Sequence, residues 1–218
     1  MIVRKYIIKL VLLFVFIAFS SSVNASETPF YVWLESFKQE ASDHGISKKT
    51  LQDAFSNIKP IERVVALDRK QPEGKKSFAD YKKMIVNQTR INRGREKLRQ
   101  HYAALDQAEK NYGIPKQYIV ALWGIETNYG SNTGGFDVIP ALATLAWEGR
   151  RRSFFTKELI NALRIIDEGH ITVTNMKGSW AGAMGQNQFM PSSFHAYAVD
   201  HNKDGKRDIW QTKADIFA

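Results

Sequence analysis

Ile119, Leu122, Trp123 and Glu126 recur at i, i+3, i+4 and i+7, so a helix drawn through them carries a carboxylate on its apolar stripe. Burial against a core disfavours the ionised form, and the negative end of the helix dipole, close to this position, acts in the same direction. A carboxyl group tuned upward to about 6–7 can protonate the leaving oxygen of a glycosidic bond near neutral pH. Glu126 therefore reads as a general acid, and an internal ion pair with Arg150, Arg151 or Arg152 is an equal alternative on periodicity alone.

The stretch from Gly178 to Pro191 alternates small residues with Trp180, Gln186, Asn187, Gln188, Phe189 and Met190. Such a segment lets backbone approach a ligand closely while amides and ring faces orient it, and a tightly packed turn between helices has the same composition. Further on, Asp200, Asn202, Asp204 and Asp208 place oxygen donors at positions one, three, five and nine of an EF-hand-like loop, with Gly205 at six. Gln211 stands at the twelfth position in place of a bidentate carboxylate, and Lys203, Lys206 and Arg207 oppose a cation, so these four are weak calcium candidates and a metal-free polar turn is the simpler reading. Asp137 and Glu148 read as solvated charges.

Other chemistries find no support. Ser56-Asn57-Ile58-Lys59 has the Ser-x-x-Lys spacing of penicillin-binding enzymes but lacks their Ser-Asp-Asn and Lys-Thr-Gly partners. The histidines at 44, 101, 170, 195 and 201 show no metal spacing, and phosphate-binding glycine motifs are missing. With no cysteine there is no disulfide framework, thiol nucleophile or lipid-modified N-terminal Cys.

The elements that must position these residues are helical. Phe30, Trp33, Leu34 and Phe37 define a first helix, with Thr28 placed to cap it and Pro29 in its first turn; a second starts at Ser47 and stops at Pro60. Residues 60 to 77 read as a connection, and Phe78 to Tyr112 as one long helix or two shorter ones. Gly113-Ile114-Pro115 marks a helix end followed at once by a new start, which predicts a helix from Pro115 to Asn128 that carries Glu126. After the glycine-rich segment 130–135, helices are expected from Pro140 to Trp147, from Ser153 to Gly169 and after Pro191. No alternation of period two stands out, so any sheet is minor.

Across 218 residues, 44% hydrophobic and 12% aromatic content is enough for one domain or two small lobes. Arg4, Lys5 and Lys9 precede an apolar run from Leu10 to Phe19 and a small-residue stretch ending at Ala25, the pattern of a secretory signal peptide at residues 1–25. The run is shorter than the roughly 20 residues that cross a bilayer. Removing its three basic residues takes the formal charge from +9 to +6. A basic exported chain is expected to meet anionic lipid or wall polymer rather than nucleic acid.

Ala121-Leu122-Trp123-Gly124-Ile125-Glu126-Thr127-Asn128-Tyr129-Gly130, together with Gly178 to Ser193, closely resembles the lytic murein transglycosylase B family. The likeness extends through residues 67–73, Gly94-Arg95 and residues 142–146, and so covers essentially the whole mature chain. It implies a mostly α, lysozyme-like helical domain at 113–218 with an additional N-terminal helical lobe at 26–112. Glu126 matches the single catalytic Glu, and Ser179, Gln188 and Phe189 match positions lining the sugar-binding cleft. The activity so implied is cleavage of the β-1,4 bond between N-acetylmuramic acid and N-acetylglucosamine of peptidoglycan glycan strands to 1,6-anhydro products. The signal peptide leads us to expect a periplasmic protein, and we expect a monomer that needs no cofactor. The chain ends at Asp215-Ile216-Phe217-Ala218, inside an expected helix where the family continues, so the catalytic domain is expected to be incomplete. A lysozyme-type muramidase using water and a non-catalytic wall-binding module stay open as alternatives.

Overall fold

The computed structural model describes residues 28–70 and 77–218. The expected signal peptide and the Gln71-Pro72-Glu73 part of the motif lie outside the described residues.

Eleven α-helices, a 3-10 turn (Val173–Asn175) and a two-stranded ribbon make up the regular structure of the described residues. The first helix, α1 (Phe30–Asp43), turns Trp33, Leu34, Phe37 and Ala41 inward, and its N-cap is Pro29 rather than Thr28, so the helix starts one residue later than expected. In α2 (Lys48–Phe55) the Ser47 hydroxyl accepts from the Thr50 N–H at 3.2 Å, as a capping serine should. The stretch expected to be a mere connection contains α3 (Glu62–Lys70), whose buried residues are only Val64 and Asp68. So thin an apolar face leaves almost no periodic signal to read.

The run from Phe78 to Tyr112, expected as one long helix or two shorter ones, is three: α4 (Phe78–Ile85), α5 (Gln88–Gln100) and α6 (Tyr102–Tyr112). Asn87 caps α5 by accepting from the Arg90 N–H at 2.9 Å, and His101 forms the corner before α6. Gly113 then ends α6 in the left-handed conformation that suits a residue without Cβ, and α7 (Lys116–Thr127) begins directly after Pro115, as Gly-Ile-Pro predicts.

The most buried helix is α8 (Val138–Glu148). Val138, Ile139 and every residue from Ala141 to Ala146 are buried, because neighbours cover it on all sides. It packs chiefly on α9 (Arg152–Asp167) and also meets α3 and α1. Pro191 opens α10 (Pro191–Tyr197), whose first turn is held by Glu158 of α9: that carboxylate accepts from the Ser192 N–H at 2.9 Å and from its hydroxyl at 2.7 Å. The ribbon pairs β1 (Phe136–Asp137) antiparallel to β2 (Lys177–Gly178), with Phe136 opposite Gly178. A last helix, α11 (Lys213–Phe217), packs on α6.

Apolar packing falls into two clusters. One joins α1, α2 and α3 to α8, α9 and α10. The second joins α6, α7, Tyr129 and α11, with Leu98 of α5 against it. The packing thus groups the helices differently from the two lobes expected along the chain, since α6 and α7, on either side of residue 113, share one cluster.

Candidate active site

The helix bearing Glu126 is fixed at both ends. At its start, the Lys116 ammonium pairs with Asp106 and Glu109 of α6, which closes the α6–α7 corner. At its end, Asn128 and Tyr129 both take left-handed conformations, at φ 50° and 61°. That reversal sends the Tyr129 ring back between α7 and α5, where its hydroxyl donates to the Arg90 carbonyl at 2.7 Å. A Cβ added at Gly124 or Gly94 would come within 2.6 and 2.7 Å of that side chain, so glycine at both positions is what admits it.

The face of α7 that meets the protein consists of Val120, Trp123, Gly124 and Thr127. Leu122 is 60% and Ile125 43% exposed, and Glu126 is exposed as well. The expectation that Glu126 projects into a dry core is therefore corrected. Its stripe is apolar because it lines an open groove, and the core-facing stripe lies about a third of a turn away around the helix.

The groove has a volume of about 390 Å³, and Trp123, Glu126, Phe189, Tyr197 and Tyr112 contribute to its walls, with Ile216 and Phe217 of α11. The loop before α10 is locked to α7 by Gln186. Its amide oxygen accepts from the Trp123 indole N–H at 2.8 Å, its amide nitrogen donates to the Trp210 carbonyl at 2.7 Å, and its own carbonyl accepts from the Thr127 hydroxyl at 3.1 Å. Gln186 is buried, so these bonds hold the two residues flanking the Glu126 turn against the opposite wall. It was not among the candidates, since a partner 63 residues away leaves no local signal.

Of the cleft candidates, the structure brings Phe189 into the groove with Glu126, where its ring lies 6.4 Å from that of Tyr197. Gln188, at φ 51°, donates its amide to the Thr133 and Gly185 carbonyls, which ties the loop to the segment before β1. The Ser179 hydroxyl accepts from the Ala181 and Ala183 N–H groups, so its side chain shapes the turn. Neither of these two lines the Glu126 groove.

Glu126 forms no ion pair among the described residues. Arg150 and Arg151 instead grip Asp68 of α3 at 2.7 Å each, and Glu148 takes Arg69. Asp137 pairs with Lys177 across the ribbon. The other carboxylate lining the groove, Asp215, is buried and accepts from the N–H groups of His201, Asn202 and Asp208. Glu126 is thus the groove's uncommitted carboxyl group.

The candidate calcium loop folds on itself. Asp200 accepts from the Asp204 and Gly205 N–H groups, and the Asn202 amide donates to Asp204 at 2.9 Å. Asp208 gives both oxygens to Trp210, Gln211 and Thr212. The twelfth position of the loop is Gln211, which offers one neutral amide oxygen in place of a bidentate carboxylate.

A helical scaffold presenting one free carboxyl in an aromatic-walled groove is the architecture of lysozyme-like glycan-cleaving domains. The family model described as Transglycosylase SLT domain matches residues 29–218, and the chain belongs to that family. Membrane-bound lytic murein transglycosylase B of Escherichia coli (strain K12) is 34% identical over 177 residues, which cover 77% of this chain and 49% of that protein. The crystal structure of SltB3 from Pseudomonas aeruginosa in complex with NAG-NAM-pentapeptide matches with a TM-score of 0.85 and 41% identity, over 88% of this chain and 51% of that one. Slt35 of Escherichia coli in complex with calcium matches at 0.75 and 32%, over 88% and 60%. This chain thus spans about half the length of the first two.

Proposed function

We propose that this protein is a peptidoglycan lytic transglycosylase whose acid and base are the one carboxyl group of Glu126. The groove takes a glycan strand, and Glu126 protonates the oxygen leaving from the β-1,4 bond between N-acetylmuramic acid and N-acetylglucosamine. The substrate's own 2-acetamido oxygen stabilises the cation forming at C1, so no second protein carboxylate is needed. Glu126, now ionised, removes the proton from the C6 hydroxyl, which attacks C1 and closes a 1,6-anhydro ring. No water is consumed.

The observation that carries this reading is the chemistry of the groove's two carboxylates: Asp215 is taken up by backbone N–H groups, and Glu126 has no ion pair among the described residues. A bound strand lying over Trp123, Phe189 and Tyr197 would exclude water from the open groove. The family and the fragment bound to SltB3 support a wall glycan as substrate. Ser179 and Gln188 act by holding the loop that carries Phe189. We further assign a periplasmic setting and a monomeric working form, and a loop at 200–211 that closes without calcium. Among the described residues no helix is long and apolar enough to cross a membrane.

The test is digestion of purified peptidoglycan by the wild-type chain and by Glu126→Gln, with products resolved by mass. Anhydro-muropeptides from the first and a loss of about 10²–10⁴-fold in the second are expected. Reducing-end products would replace the mechanism with a water-using muramidase, and equal digestion by both proteins would remove Glu126 from it.

A further inference from the structure

Among the α-helices of the described residues, α4 alone buries none of its residues. Phe78, Tyr81 and Ile85 fall at i, i+3 and i+7 on one side, flanked by Met84; Phe78 is 81% exposed, Tyr81 47% and Met84 49%. Val86, just past the helix, is 51% exposed. This apolar side runs into a second groove, of about 260 Å³, between α5 and α7, walled by Ile85, Ile91, Leu98 and Ile125 and edged by Arg90 and Arg95. From Phe78 to Gln100 the sequence holds seven Lys and Arg residues against Asp80 and Glu96.

An exposed hydrocarbon side bordered by dense positive charge is what an interfacial helix presents to a bilayer. We propose that the α4–α5 face docks the protein on a membrane surface rich in anionic lipid. The lysines at 82 and 83 and the arginines of α5 meet the headgroups, while Phe78, Tyr81 and Met84 enter the acyl boundary. A hydrated wall polymer would satisfy the charges but offers no hydrocarbon to Met84, Ile85 and Ile91. A second copy of the chain would set the same positive excess against itself.

Co-sedimentation with vesicles of phosphatidylglycerol and phosphatidylethanolamine, against vesicles of phosphatidylcholine alone, tests this. The wild-type chain should sediment with the first and not the second. The double variants Phe78→Ser/Tyr81→Ser and Lys82→Glu/Lys83→Glu, all at exposed positions and checked for an unchanged melting temperature, should each lose about tenfold or more in affinity. Their digestion of purified peptidoglycan should match the wild type, which separates this proposal from the role of Glu126. Three results would overturn it: no sedimentation of the wild type, undiminished sedimentation of both variants, or a lipid-free self-association or sacculus binding that the same substitutions abolish.

Discussion

At the scale of single residues, Glu126 shows what periodicity can and cannot say. The i, i+3, i+4, i+7 spacing with Ile119, Leu122 and Trp123 is real, but an apolar stripe reads the same whether it faces a core or a groove. The residue types around Glu126 made it a candidate, through the resemblance of the 121–130 stretch, while its solvent access was settled by which neighbours Val120 and Thr127 find. Gln186 was illegible for a related reason, since one glutamine in a loop of amides does not announce which indole it will meet. Replacing it by Leu would leave the buried Trp123 N–H without an acceptor, at a cost of about 1–3 kcal/mol. The Gln186→Leu variant is expected to melt at lower temperature and to cleave peptidoglycan more slowly. An unchanged melting temperature would show that the groove wall stands without that amide.

At the scale of elements, the junctions carried by local backbone chemistry were the readable ones. Gly113-Ile114-Pro115, Ser47 and Pro191 each act through a conformation or a cap that a few residues determine. The unreadable ones depend on distant packing: α3 has too few apolar residues to announce itself, and the breaks at Asn87 and His101 sit inside a run that stays helix-compatible throughout. The seam between α5 and α7 makes a sharp prediction. On an isolated helix Gly124→Ala would stabilise by up to about 1 kcal/mol. Here the new methyl would lie 2.6 Å from the Tyr129 ring, so the variant is expected to be destabilised by about 1–3 kcal/mol. Denaturant unfolding gives the sign directly. For the 200–211 loop, a calorimetric titration with calcium up to about 1 mM should give no saturable heat, because Gln211 offers one neutral amide oxygen in place of a bidentate carboxylate.

At the scale of the whole molecule, each cluster holds an imidazole that resists protonation. Burial lowers the pKa of His170, helped by the Arg207 charge; burial also lowers that of His101, helped by Lys213 and then Lys97. Both take up a proton more readily in the unfolded chain, so their contribution to stability is complete above the unfolded histidine value of about 6.5 and is lost as pH falls below it. A second loss follows below about pH 4. Burial pushes the Asp68 carboxyl up, but hydrogen bonds and charge from Arg150 and Arg151 outweigh it; Asp167 is likewise held low by Ser47 and Thr50 against burial. The melting temperature is therefore expected to fall in two stages on acidification, and His170→Gln should flatten the first. A flat profile from pH 7 to 5 in the wild type would contradict this. The mostly helical class was legible from periodicity, but the grouping of helices was not, because contacts such as Asp68 with Arg150 join positions 82 residues apart.

The hydrogen bond that pins the Trp123 indole has an optical consequence. A fluorophore fixed rigidly at the edge of the cleft, beside an ammonium 5.6 Å from its ring, reports on its own dielectric surroundings. Saccharide entering beside it should shift the emission of the native chain without any added dye, and Trp123→Phe should silence that response while the four other tryptophans continue to emit.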